Sequence, residues 1–179
     1  MDTVRLRSGR EVLIRPIRPE DAAELRAAYA RLSPQSKYRR FMSGKPHLSA
    51  AETRYLTQID GSDHCALVAV TSRGRPAILG VGRYIRLPDQ PEVAEFAIVV
   101  GDPFQREGLA TELLERLAAA ARTQGIERFT ATMLAENVAA HRLVGRPAAG
   151  GIAPHGDAVR VPIARHLGAI DEIDIELVA

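Results

Sequence analysis

The stretch Glu92-Val93-Ala94-Glu95-Phe96-Ala97-Ile98-Val99-Val100-Gly101-Asp102-Pro103-Phe104-Gln105-Arg106-Glu107-Gly108-Leu109-Ala110-Thr111 decides the fold. Residues 92–100 read as a strand, with Val93, Glu95, Ala97 and Val99 on one face and Ala94, Phe96, Ile98 and Val100 on the other. Gly101 to Glu107 reads as a loop. A helix then runs from about Gly108 to Gln124, with Leu109, Leu113, Leu114, Leu117 and Ala121 along one face and Gly125 as its stop. A strand that feeds a loop and then a helix brings the first free helical N–H groups to the strand's end. The aligned peptide dipoles make that position suit a phosphate or pyrophosphate. The Gly-x-Gly-x-x-Gly of a dinucleotide fold and the Gly-Lys-Ser/Thr of a P-loop are both absent here. Both faces of the strand are apolar except for Glu95. A carboxylate in a buried strand either pairs with a base such as Arg83 or serves as a general base whose pKa desolvation raises.

Outward from this segment, Cys65 to Val70, Ala77 to Leu87 and Glu92 to Val100 are apolar runs joined by Arg73-Gly74-Arg75-Pro76 and Pro88-Asp89-Gln90-Pro91. Short turns of this kind imply an antiparallel meander. Towards the N-terminus, Val4 to Leu6 and Glu11 to Ile17 flank Ser8-Gly9 as a hairpin, and Pro19-Glu20-Asp21 opens a helix. Ser33-Pro34 opens a short helix to Phe41, and Ser49 with Glu52 forms a capping box for a helix over 50–59. Towards the C-terminus come a strand over Ile126 to Leu134, a helix over Glu136 to Val144, a loop over Gly145 to Gly156, and strands over Ala158 to Ile163 and Ile173 to Val178. The order predicts an α/β (α+β) mixed sheet with helices on its faces, not a doubly wound parallel fold.

Composition narrows the function classes. A chain of 179 residues with 46% hydrophobic residues fits one domain over 1–179. Trp is absent and aromatics are 4%, so the core is built from Leu, Val, Ile and Ala. The single cysteine, Cys65, excludes an intramolecular disulfide framework and a Cys-rich metal site. The histidines at 47, 64, 141, 155 and 166 show no metal-ligand spacing, so no metal is expected. His141 reads as a solvated or cleft-facing residue. The net charge is +2, and all basic residues except Lys37 and Lys45 are Arg. Residues 1–54 hold 12 basic and 6 acidic side chains, interspersed with apolar residues and without an aromatic stacking set, which argues against nucleic acid. No run of 18 apolar residues and no signal-peptide core is present, so the expectation is a cytoplasmic protein with no membrane contact.

Gln105-Arg106-Glu107-Gly108-Leu109-Ala110 resembles the Gln/Arg-x-x-Gly-x-Gly/Ala motif of the GNAT superfamily of acyl-CoA-dependent N-acetyltransferases. The preceding strand, the following helix and Ala135-Glu136-Asn137 occur in that family's order, so the likeness covers about residues 11 to 144. Within the superfamily, Ile14 to Asp21, Leu32 to Phe41 and Ala94-Glu95-Phe96-Ala97 look like the catalytic domain of bacterial protein lysine acetyltransferases. The resemblance implies the GNAT fold, a mostly antiparallel sheet splayed at its strands 4 and 5, here 92–100 and 126–134. It implies acetyl-CoA as co-substrate, with the backbone of Gln105, Arg106, Glu107, Gly108, Leu109, Ala110 and Thr111 on the pyrophosphate. Ile98, Val99 and Val100 would pair with the pantetheine arm, Asn137 would join the cofactor site, and Glu95 would be the base. An N–H near Val99 would stabilise the oxyanion. Many members carry a general-acid Tyr seven residues after the motif Asn; here that position is Val144, so the thiolate would leave unaided. The implied acceptor is an amine, foremost a protein lysine, on a monomer or homodimer. The alternatives are a small-molecule amine, or a non-catalytic acyl-CoA-binding or partner-binding module. Arg83 and Tyr84, on the adjoining strand, are candidates for shaping the acceptor pocket or for the core.

Overall fold

The computed structural model describes residues 2–42, 45–144 and 163–177. Asp2–Arg5 (β1) and Glu11–Pro16 (β2) pair across the first hairpin. Ala22–Arg31 (α1), Pro34–Phe41 (α2) and Ala50–Thr57 (α3) follow. The Ser33 hydroxyl accepts the Ser36 N–H at the start of α2, and Ser49 and Glu52 complete the expected capping box on α3. His64–Thr71 (β3), Ile78–Leu87 (β4) and Gln90–Val100 (β5) form the meander, antiparallel throughout. Leu109–Thr123 (α4) then crosses over to Arg128–Leu134 (β6), which runs parallel to β5, as a helical crossover permits. Val138–Val144 (α5), Ile163–Leu167 (β7) and Ile170–Glu176 (β8) complete the sequence. The eight strands lie in the order β1-β2-β3-β4-β5-β6-β8-β7.

The C-terminal strands differ from expectation. Of the expected strand at 158–163, residues 158–162 lie outside the described residues, as does the expected loop at 145–156 with His155. The last strand begins at Ile170, not Ile173, and pairs residue by residue with β6 and β7. Its burial alternates through Asp171, Ile173, Ile175 and Leu177. A carboxylate at the first buried position interrupts the apolar pattern and hides the strand's start. The expected helix from Glu136 begins two residues later, because the Asn137 Oδ1 accepts the Ala140 N–H (3.3 Å) and caps it.

Helices cover both faces of the sheet. α4 and α5 pack on one face, over Leu67, Phe96, Phe129 and Ile173. α1, α2 and α3 cover Ala66, Val68, Ile78 and Val81 on the other. Leu113 and Leu117 of α4 are fully buried, each worth roughly 1.5–3 kcal/mol. The close approach of α4 depends on Gly82 in β4, where a Cβ would stand 2.7 Å from the Leu117 Cδ1. Fixing α4 against the sheet fixes its N-terminus at the end of β5. Among the described residues, no helix is long and apolar enough to cross a membrane.

Candidate functional site

β5 and β6 pair only through Val93–Arg128, Ala94–Phe129 and Glu95–Thr130. Beyond Glu95 the strands part. β5 stays on β4 as far as Val100, and β6 stays on β8 as far as Leu134. The edge of residues 96–100 that faces β6 therefore has no strand partner among the described residues. Ile98 and Val99 are half-buried and Val100 is buried along this edge. An unpaired edge in a cleft offers backbone donors and acceptors to an extended amide chain, as an added strand would use them.

The loop after β5 leads straight to the N-terminus of α4. Arg106 (φ 64°) and Gly108 (φ 91°) both adopt the left-handed region, so the chain turns sharply just before the helix. Gly108 precedes the helix, and a Cβ there would meet nothing within 4 Å, so open space lies in front of its backbone. The first intrahelical bond joins the Glu112 N–H to the Gly108 carbonyl, so the N–H groups of Leu109 and Ala110 precede the ladder. Leu109 is itself buried, while Ala110 and Thr111 are half-buried. The predicted cradle residues are therefore brought together, with backbone as their common offering.

Two side chains of the cradle face the protein. The Glu107 carboxylate accepts the Ser8 N–H at 2.7 Å, and the Glu107 carbonyl accepts the Arg7 N–H at 3.1 Å. The Ser8 bond holds the Glu107 carboxyl below its usual range, so its negative charge is drawn towards the N-terminal hairpin. The Gln105 side chain donates to the Val100 carbonyl at 3.2 Å. Asp102, in the expected loop, anchors α2: it accepts from the Ser33 N–H (2.9 Å), the Ser33 hydroxyl (2.8 Å) and the Ser36 hydroxyl (2.7 Å). Burial opposes ionisation there, but the bonds from Ser33 and Ser36 outweigh it and hold the Asp102 carboxyl below its usual range. No local sequence signal marks this contact.

Glu95 stands where the strands separate, on the face covered by α1–α3. It is exposed, which corrects the expectation of a desolvated carboxylate. The splay is the cause: the alternating pattern sets its face correctly, but that face opens at this point. Pairing with Arg83 is not seen either. Arg83 lies opposite Ala97, is 5% exposed, and bonds to the His64 Nε2 (3.1 Å) and the Leu56 carbonyl (3.4 Å). Alternation separates the two β4 candidates. Tyr84 turns to the other face, fully buried beside Phe129, whereas Arg83 lines a cavity of about 500 Å³ beneath α1–α3. Ala97 and Val99 of β5 and Arg40 of α2 also line it. Burial, then the charge of Arg40, pushes the Arg83 guanidinium down to about 10. Burial lowers Arg40 as well, and attraction to Glu95 opposes that shift. Arg40 carried no residue-level signal in the sequence.

Across the cleft, Asn137 is half-buried and spends its Oδ1 on capping α5. Val144 is 2% exposed, packed in the core. His141 is not a solvated helix residue: its Nε2 lies 3.2 Å from the buried Asp171 carboxylate, which also meets the His166 Nδ1 at 2.7 Å.

Comparisons with known proteins agree with this geometry. Residues 11–146 match the family model for the acetyltransferase (GNAT) domain. Acetyltransferase Pat of Mycolicibacterium smegmatis is 31% identical over 144 residues, covering 80% of this chain and 42% of that protein. The chain thus spans less than half the length of this relative. The crystal structure of the GNAT domain of S. lividans PAT superposes with a TM-score of 0.82 at 30% identity, covering 98% of this chain and 96% of that one. The structure of yncA from Salmonella typhimurium, solved with its cofactor acetyl-CoA, shares the fold at 17% identity and a TM-score of 0.66, over 93% of this chain and 92% of that one.

Proposed function

The chain belongs to the GNAT family of acetyltransferases, and on that premise we propose that it moves an acetyl group from acetyl-CoA to a primary amine, foremost a protein lysine side chain, with Glu95 as general base. The observation that carries this reading is the parting of β5 from β6 directly after Glu95, beside the α4 N-terminus. The carboxylate, the unpaired edge and the backbone cradle are thereby gathered along one cleft. Likeness to the Pat catalytic domain supports the lysine acceptor.

The residues present fit acetyl-CoA. The open space before Gly108 and the N–H groups from Gly108 to Thr111 suit a pyrophosphate at the positive end of the helix, with Gln105, Arg106 and Glu107 shaping the loop. The edge at Ile98, Val99 and Val100 suits the amide-bearing pantetheine arm, and Asn137 borders the cleft on the β6 side. Acetyl-CoA supplies the activated thioester.

The chain's own groups then act on the acceptor. An ammonium cannot attack, so Glu95 takes its proton, directly or through a water, for roughly 10²–10⁴ in rate. The charges of Arg40 and Arg83 further disfavour an ammonium in this pocket. The neutral nitrogen forms the C–N bond, the C–S bond breaks, and its electron pair leaves on sulfur. A backbone N–H near Val99 stabilises the charge that develops on the carbonyl oxygen. With Val144 in place of a hydroxyl side chain, the thiolate leaves unaided and takes its proton from solvent.

Acetyl-CoA at about 100 times its Kd stabilises a protein that binds it by about 2.7 kcal/mol. For a domain of this size that raises Tm by roughly 5–10 °C. Mass spectrometry of a lysine peptide incubated with the protein and acetyl-CoA then reads the transfer. No thermal shift at saturating acetyl-CoA overturns the reading. A shift without acetylation of any amine leaves the acyl-CoA-binding module in its place.

A further inference from the structure

The cavity beneath α1–α3 contains charges of two kinds. Arg31 is paired with Glu24 (2.8 Å), and Asp102 is saturated by Ser33 and Ser36. Arg40 and Arg83 are different. Among the described residues neither has a carboxylate within ion-pair distance, and Arg40 makes no hydrogen bond; its guanidinium rests on the Phe41 ring (4.8 Å). The His64 that accepts from Arg83 does not cancel its charge, because an imidazole brings no negative charge, and burial and Arg83 itself push its pKa down. Glu95 attracts Arg40 only at longer range. Two guanidiniums without a carboxylate partner thus share a cavity lined mostly by apolar side chains, one of them 5% exposed. A buried charge without a counter-ion is costly, and a forked guanidinium is matched best by a carboxylate.

We propose that Arg40 and Arg83 form a carboxylate-recognition site, and that the protein also acetylates small amino acids whose carboxylate rests on this pair while the amine meets Glu95. The geometry supports such a bifunctional substrate. Arg83 and Ala97 line the cavity and lie directly opposite one another; Glu95 is outside the lining but on the same face, two residues from Ala97 and diagonal to Arg83, a spacing of roughly 7–8 Å between backbones. A chain of a few carbons carrying an amine at one end and a carboxylate at the other is of the length to bridge two residues so spaced. A cavity of about 500 Å³ is of small-molecule size. The chemistry is that of the proposed transfer: the neutral amine attacks the thioester, C–N forms, C–S breaks with its electron pair on sulfur, and the amine proton leaves through Glu95.

This inference rests on the acetyl-transfer reading, and the test separates their failures. Thiol release from acetyl-CoA is followed with L-lysine, β-alanine and 4-aminobutyrate, with the carboxamide of each, and with a lysine peptide. A charge-assisted hydrogen bond predicts kcat/KM roughly 10–100-fold higher for each carboxylate than for its carboxamide, mostly in KM. In Arg40→Gln that preference collapses to near unity, while acetyl-CoA still raises Tm, showing a folded protein. If Arg40→Gln fails to fold, Arg40→Lys, which keeps the charge but not the fork, is expected to lose most of the preference. Equal use of carboxylates and carboxamides, or no acetylation of any amino acid, overturns the inference. If the lysine peptide is then still acetylated, only this inference falls. If it too is inert, the acetyl-transfer reading falls with it.

Discussion

Gly82→Ala tests the packing that places the cradle. The new Cβ would lie 2.7 Å from the Leu117 Cδ1 and 3.3 Å from the Leu113 Cβ. Apolar carbons settle at about 3.5–4.0 Å, so Leu117 must retreat by roughly 1 Å. Both leucines are fully buried, so the flexible end of Leu117 has to move among close-packed neighbours. Overpacking of this kind costs about 1–3 kcal/mol. Alanine returns about 0.5–1 kcal/mol by restricting the unfolded backbone at a mid-strand position. The overpacking wins, for a net loss of about 0.5–2 kcal/mol, or a fall in Tm of about 1–8 °C at this size. Scanning calorimetry reads the stability, and titration with acetyl-CoA reads the cradle, because Leu113 and Leu117 are carried by the helix whose N-terminus forms it. Both stability and acetyl-CoA affinity should weaken. An unchanged or raised Tm with unchanged acetyl-CoA affinity would refute the argument that this glycine sets the height of α4 over the sheet.

Other substitutions probe the remaining parts. In Gly108→Ala, left-handed backbone costs roughly 1–2 kcal/mol, and the methyl enters the open space before the helix, so KM for acetyl-CoA should rise tenfold or more in steady-state assays, roughly the worth of one lost charge-assisted bond. Asp21→Asn breaks a part-buried forked pair with Arg15 (2.7 Å for both bonds), and denaturant melts should record a loss of about 3–5 kcal/mol. Ser33→Ala removes the cap of α2 and its bond to Asp102, at a cost of about 1 kcal/mol in the same melts. Asp60 accepts the N–H groups of His64, Ser62 and Asp63, which hold its carboxyl at about 2, below the ordinary 3.8. Its folded pKa is depressed, so its contribution is complete above the unfolded pKa and disappears as pH falls through the folded one. The stability gap between the parent and Asp60→Asn should be constant at neutral pH and close between pH 3.8 and about 2, as followed by acid titration of circular dichroism.

The elements that can be read from the sequence are those with local causes. The meander follows from alternation between turn residues, and α4 from leucines spaced along one face with Gly108 and Gly125 at its ends. Serine caps are local too, which is why α2 and α3 begin where Ser33 and Ser49 place them. The proposed cradle was legible as a motif because the role assigned to it uses backbone placed by chain direction. Exposure of Glu95 was not, since alternation assigns a face but only the divergence of β6 decides whether that face is covered. Asp102 finds Ser33 and Ser36 across 69 and 66 residues, and His141 finds Asp171 across a strand boundary that the carboxylate itself disguises. Arg40 and Arg83 meet only because α2 folds over β4, an encounter that no spacing records.

The central claim is that Glu95, at the point where the sheet opens, takes the proton of the attacking amine. Glu95→Gln tests it most directly, since glutamine keeps the shape of an exposed side chain and removes only its basicity. With a lysine peptide and saturating acetyl-CoA near neutral pH, kcat should fall by roughly 10²–10⁴, while the acetyl-CoA-induced rise in Tm remains as in the parent. Turnover by Glu95→Gln at the parent's rate would contradict the account.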